Sequence, residues 1–168
     1  PEEEFFIPQP VKNFFQERVE QQSKVEESWN KKFQDWEKEN PKEKKLFSTM
    51  KEHKIPSDLE NTLKTIDSQD SISGRKASQA ILQKLATELP FLYGGSADLS
   101  GSDCTMMKEY PLIGPNDFKG RNIKYGIREF GMAAAATGLY QTGMILPYIG
   151  TFFTFSDYMR NAIRLSAL

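Results

Sequence analysis

The stretch that decides the fold is residues 123–158, IKYGIREFGMAAAATGLYQTGMILPYIGTFFTFSDY. It opens on a short β-like run at 123–127 and passes at Arg128-Glu129-Phe130-Gly131 into a helical run over 128–141, with Gly143 as its stop. An apolar run follows at 144–153, and Phe152, Phe155 and Tyr158 recur at three-residue steps. Strand, helix, strand in succession predicts parallel strands joined by a crossover helix. A carboxylate at a helix start, with aromatics at the next strand's exit, predicts a pocket for a flat heteroaromatic ring. The small residues Gly131, Ala133, Ala134, Ala135, Ala136 and Gly138 let another backbone come close to this helix.

The flanking sequence extends the same pattern over 71–168. Ser73-Gly74-Arg75-Lys76 leads into a helix with Ala77, Ile81, Leu85 and Leu89 on one face, stopped by Pro90. Phe91-Leu92-Tyr93 reads as a short buried strand that opens into a glycine-bearing loop, Gly94-Gly95-Ser96-Ala97-Asp98. Residues 101–120 are rich in turn formers, with Pro111, Gly114 and Pro115 marking an irregular excursion. A last helix is predicted at 156–168, with Met159, Ile163 and Leu165 available for packing. The fold class is α/β, a parallel sheet with crossover helices. Ligands of such sheets collect at the carboxyl ends of the strands, and Asp98, Glu129 and residues 152–158 all follow strand ends.

Residues 1–70 differ in texture. Val11, Phe14, Phe15, Val19, Val25, Trp29, Phe33 and Trp36 recur at helical steps among Lys, Glu and Gln, which predicts one long amphipathic helix with Pro10 at its start. Such a stripe reads as core packing rather than as a cofactor box. Asn40-Pro41-Lys42-Glu43 and Ser57-Asp58-Leu59-Glu60 each read as a capped helix start. Three helices without a strand predict a helical connector ahead of the domain at 71–168. His53, between Glu52 and Lys54, reads as a surface residue.

Bulk composition narrows the function. The 168 residues carry 22 Lys+Arg against 23 Asp+Glu, which argues against an electrostatic grip on nucleic acid or an anionic membrane. No apolar run is long enough to span a bilayer, and no charged-then-apolar leader is present. A single cysteine, Cys104, allows no internal disulfide and fits a reducing compartment. A single histidine argues against a zinc site or a Ser-His-Asp triad. The chain opens on Pro1 and stops at Leu168 within an apolar-periodic helix, and is read as a piece of a longer polypeptide.

Four segments together resemble the transketolase family. They are Gly74-Arg75-Lys76-Ala77-Ser78, Gly94-Gly95-Ser96-Ala97-Asp98-Leu99, Tyr125-Gly126-Ile127-Arg128-Glu129-Phe130-Gly131-Met132, and Gly150-Thr151-Phe152-Phe153-Thr154-Phe155-Ser156-Asp157-Tyr158. Residues 162–168 also fit, and 1–70 fits the family's helical connector more loosely. The resemblance implies a thiamine diphosphate-binding fold: an incomplete pyrimidine-type domain at 71–168 behind a connector at 1–70.

The resemblance also implies roles. The family's glutamate matching Glu129 binds the ring nitrogen of the cofactor's aminopyrimidine and promotes loss of a proton from the thiazolium carbon. A two-carbon ketol unit then passes from a ketose phosphate to an aldose phosphate. That work needs a carboxyl able to share a proton at neutral pH, and burial beside Phe130 and Met132 would favour it. Phe152, Phe155 and Tyr158 match the aromatic pocket around the aminopyrimidine, with Phe153 turned the other way into packing. Asp98 and Leu99 match cofactor-side positions, and Arg75 and Ser102 match positions that bind the sugar phosphate. Mg or Ca would accompany the cofactor, with metal ligands outside this chain.

The implied whole protein is a cytoplasmic homodimer, and the 168 residues alone are expected to be inactive. Two departures stand out: Asp103, where many members have Asn, adds a negative charge one residue from a phosphate contact, and Phe130 replaces a histidine. The rival readings are dihydroxyacetone synthase or phosphoketolase, and a non-catalytic interaction module of the same fold.

Overall fold

A computed structural model describes residues 5–66 and 71–168, so the expected boundary between 70 and 71 falls at the edge of the described residues. The chain divides into two compact units, one ending at Lys45 and the other spanning Leu46–Leu168. The first unit is built on helix α1, Gln9–Glu39, with Pro10 in its first turn as expected. Its aromatic stripe is not core. No residue of α1 is buried, and Phe14, Phe15, Val19, Val25 and Trp29 are all exposed. The rings pack along the helix instead: Trp29 stacks on Phe33 at 5.1 Å and Phe33 on Trp36 at 5.6 Å between centroids. The physical reason is that only the first turn of α2, Pro41–Glu52, accompanies α1 in its unit, and one turn cannot cover so long a stripe.

The expected capping boxes are replaced by other bonds. Asn40 Nδ2 donates back to the Trp36 carbonyl at 2.9 Å, so its side chain serves the end of α1 rather than the start of α2. Helix α3, Leu59–Lys64, has no side-chain cap, and Glu60 pairs with Lys64 at 2.6 Å.

In the larger unit, three parallel strands form one sheet in the order β2-β1-β3. They are β1, Leu92–Ser96; β2, Asn122–Lys124; and β3, Leu146–Gly150. Helix α4, Gly74–Glu88, precedes β1, and α6, Glu129–Gln141, carries the chain from β2 past β1 to β3. The short α5, Ser100–Asp103, opens the irregular connection from β1 to β2. Gly143, at φ +70°, ends α6 as its sequence position predicts, and its N–H bonds the Tyr140 carbonyl at 3.0 Å. The predicted helix at 156–168 is a 3-10 segment, Phe153–Met159, followed by α7, Arg160–Ser166.

Each face of the sheet holds its own core, as a parallel sheet between helices requires. On one face Ala86, Leu89, Phe91, Leu92 and Met107 are buried, with Leu82, Leu85, Leu146 and Tyr148 packed against them. The inward stripe of α4 therefore runs through Leu82, Leu85, Ala86 and Leu89, while Ile81 is turned outward. His53 is half-buried rather than a surface residue, its ring 5.1 Å from that of Phe91. On the other face Ala97, Met132, Ala133, Met159 and Ala162 are buried with Tyr125 and Ile149 against them, leaving Ile163 and Leu165 exposed.

Gly94 and Gly95 lie inside β1, not in a loop after it. They sit in the middle strand, and a Cβ on Gly94 would overlap the Tyr148 carbonyl while one on Gly95 would overlap that of Ile123. Gly95→Ala is therefore expected to lower stability by at least ~1–3 kcal/mol. Gly138→Ala, on α6 with nothing within 4 Å of the added carbon, is expected to raise it by ~0.5–1 kcal/mol. Urea unfolding of the two variants checks both signs.

Candidate active site

The site is built where the three strands end. Beyond β1 the chain turns at Asp98, which adopts the left-handed conformation at φ 64°, one that Asp tolerates better than most residues. Leu99 follows, its N–H held by the Ser96 hydroxyl at 3.1 Å. Beyond β2, Gly126 at φ +68° makes the turn into α6, and Arg128 folds back so that Nη1 donates to the Tyr125 carbonyl at 3.1 Å. Glu129 is thereby set at the first helical position, where the helix dipole favours a negative charge. Beyond β3 the 3-10 segment presents Phe155 and Tyr158 one turn apart.

These pieces enclose a cavity of about 500 Å³ lined by Ala97, Asp98, Leu99, Ile127, Glu129, Phe155 and Tyr158. Glu129 is 8% exposed, and among the described residues its carboxylate has no hydrogen-bond or ion-pair partner. Phe155 and Tyr158 lie 6.3 Å apart and 27° from parallel, and Phe152 continues the stack on Phe155 at 6.4 Å and 16°. The arrangement offers one buried carboxyl and near-parallel rings to a flat, partly polar group.

Of the residues expected at the site, the structure brings Asp98, Leu99, Glu129, Phe155 and Tyr158 into one wall, with Phe152 stacked behind them. Phe153 is 91% exposed, contrary to the packing expected of it, because the 3-10 turn carries it to the outer side. Phe130 is about half exposed, so the burial expected of it falls to Met132, which is fully buried. Arg75 and Ser102 meet each other outside the cavity lining, Arg75 Nη1 donating to the Ser102 carbonyl at 3.3 Å. Ala97 and Ile127 were not foreseen, although both lie within the quoted segments.

A layer of polar anchors, also unforeseen, ties the connections to the sheet. The Asn122 side chain accepts from the Met107 N–H and donates to the carbonyls of Met107 and Tyr110, which pins the long β1–β2 connection to β2. Arg121 donates to the carbonyls of Ala86 and Leu89 at the end of α4 and lies 3.5 Å from the Tyr110 ring centroid. Burial lowers its pKa from the ordinary arginine value. Tyr148 donates its hydroxyl to the Thr105 carbonyl at 2.8 Å. Tyr125 lies on the opposite core with its hydroxyl buried and unpartnered among the described residues.

Comparison with known proteins places this geometry. Residues 70–168 match the family described as "Transketolase, pyrimidine binding domain", and residues 1–56 match "Transketolase, thiamine diphosphate binding domain". The chain belongs to the transketolase pyrimidine-binding domain family. Similar proteins include the transketolase of Geobacillus stearothermophilus, 36% identical over 99% of this chain and 25% of that protein. The chloroplastic transketolase of Craterostigma plantagineum is 39% identical over 100% of this chain and 33% of that protein. Among solved structures, the Pichia stipitis transketolase complex with sedoheptulose 7-phosphate superposes at TM-score 0.87 with 32% identity, over 99% of this chain and 26% of that one. The Leishmania mexicana transketolase gives 0.85 and 28%, over 98% and 25%. The chain thus spans a quarter to a third of the length of these relatives. Among the described residues no helix is long and apolar enough to cross a membrane.

The two half-buried tyrosines, Tyr125 and Tyr148, give this transketolase-family domain a pH signature. Burial raises the pKa of both phenols above the ordinary tyrosine value. A raised folded-state pKa means stability that is fully present below about pH 10, the unfolded value, and lost as pH rises beyond it. Urea unfolding is expected to show stability falling above about pH 10, with a shallower fall in Tyr148→Phe and in Tyr125→Phe. At neutral pH Tyr148→Phe should cost ~1 kcal/mol for its lost bond, while Tyr125→Phe should cost nothing because no bond is lost.

Proposed function

We propose that this chain is part of a transketolase that moves a two-carbon ketol unit between sugar phosphates with thiamine diphosphate. The reading divides it into a helical connector at 1–70 and the first part of the pyrimidine-binding domain at 71–168. The observation that carries it is the carboxyl of the buried residue Glu129, without a partner among the described residues, facing a cavity walled by the Phe155 and Tyr158 rings.

The residues present fit the cofactor's aminopyrimidine. A flat heteroaromatic ring satisfies the stacked rings, and a ring nitrogen satisfies the one carboxyl that nothing else in the described chain engages. When bound, thiamine diphosphate supplies a carbon nucleophile that accepts and releases the two-carbon unit. The chain's own contribution is to orient and to hold a proton. Glu129 would share a proton with the ring nitrogen at its carboxylate oxygens, beside the apolar side chains of Ala97, Leu99 and Ile127. Phe152, Phe155 and Tyr158 fix the ring plane, and Asp98 and Leu99 position its edge. Arg75 and Ser102 receive the sugar phosphate, the guanidinium as a permanent charge and the hydroxyl as a donor.

The metal, Mg or Ca, and the residues that hold it and the diphosphate lie outside these residues in this reading. It further takes the assembled enzyme to be a cytoplasmic homodimer, with no nucleic-acid or membrane partner. The transketolase relatives and the sugar-phosphate complex of the Pichia stipitis enzyme support the substrate class.

The test is Glu129→Gln in the complete polypeptide that carries these residues. Turnover of a ketose phosphate and an aldose phosphate is expected to fall at least ~100-fold, with little change in KM for either sugar. Wild-type turnover in the variant would overturn the assignment. The isolated 168-residue chain is expected to show no turnover and only weak thiamine diphosphate binding by calorimetry.

A further inference from the structure

Beside the site, three hydrogen-bond donors converge on one carboxylate. Asp103 Oδ2 accepts from the Ser96 hydroxyl at 2.5 Å, while Oδ1 accepts from the Thr105 N–H at 3.1 Å and the Thr105 hydroxyl at 2.6 Å. Ser96 is the last residue of β1 and is buried, and its oxygen in turn accepts the Leu99 N–H. Gly150, the last residue of β3, lies against the same loop, and a Cβ added there would meet the Thr105 methyl first and then Asp103 Oδ2 at 3.0 Å. One side chain therefore ties the end of β1 to Thr105 and to the turn that carries Asp98 and Leu99. From outside, Arg75 holds the carbonyl of the adjacent Ser102.

The chemistry of the donors explains why the side chain is an acid. Both hydroxyls and the amide present hydrogens, and an ionised carboxylate is acceptor-only. An asparagine amide has a single acceptor oxygen, so it can accept from Ser96 or from Thr105 but not from both. Whichever side met its NH2 group would lose its acceptor, which is costly away from water. The negative charge at 103 is thus turned inward to its own loop rather than outward to a substrate phosphate.

We propose that Asp103 is a positioning residue that fixes Asp98, Leu99 and Ser102 for the cofactor and the sugar phosphate; this rests on the site reading given above. In the complete polypeptide, Asp103→Asn should speed hydrogen exchange of the Leu99 and Thr105 amides and weaken thiamine diphosphate binding, each by about tenfold, the worth of one charge-assisted hydrogen bond. Ser96→Ala combined with Asp103→Asn should cost less than the sum of the two single variants, because both act on one tie, although Ser96→Ala also removes the acceptor of the Leu99 N–H. Two outcomes would overturn the proposal. One is a lower sugar-phosphate KM with exchange and cofactor affinity unchanged, which would mean that the charge acts on the substrate. The other is a lower Tm with cofactor affinity unchanged, which would mean a structural role only. Asp103→Ala, which removes every acceptor, should exceed Asp103→Asn in both readouts, and the reverse order would also count against the tie. Absence of thiamine diphosphate binding in the wild type would sink the underlying site reading, whereas the exchange of the two amides tests the tie by itself.

Discussion

The middle strand of the sheet has to pass between two neighbours whose backbones leave no room for side chains at Gly94 and Gly95. That close approach sets where β2 and β3 lie, and hence where their carboxyl ends open beside Asp98. The site depends on it, since each wall of the cavity is the first few residues after one of the three strands. A glycine pair that reads as a loop signal in one dimension is a packing requirement in three.

Side chains from the connections then secure what the strands begin. Asn122 and Arg121, adjacent in sequence, point to two different carbonyl-rich ends: Asn122 closes the long loop over Met107 and Tyr110, and Arg121 closes the end of α4. Asp103 does the same at the strand ends next to the cavity. These buried polar groups are matched donor for acceptor, which a low-dielectric interior requires. Glu129, like the Tyr125 hydroxyl, is not matched in this way. Its carboxyl lines the cavity without a partner among the described residues. Places where a chain breaks such a rule are where function is expected.

The residues legible in the sequence were those whose meaning is local. The run through Ile123, the stop at Gly143, and the spacing of Phe152, Phe155 and Tyr158 follow from period, turn chemistry and a helix start. Phe153 and Ile81 were misjudged because which side of an element faces inward depends on its neighbours, and the 3-10 turn rotates Phe153 outward. The α1 stripe was misjudged for a related reason: amphipathicity shows that a face wants a partner, not that this chain supplies one.

By itself the sequence determined the α/β succession, the strand ends where a ligand would gather, and Glu129 with its aromatic neighbours as the residues of interest. Only the tertiary structure decided that Glu129 is buried without a partner among the described residues, that Gly94 and Gly95 belong to the sheet, and that Asp103, Ser96 and Thr105 form one tie. The physical reason is range. Helix periods and turn residues act over a few positions, whereas desolvation and donor matching depend on groups that meet only when β1, its connection and β3 close on one another.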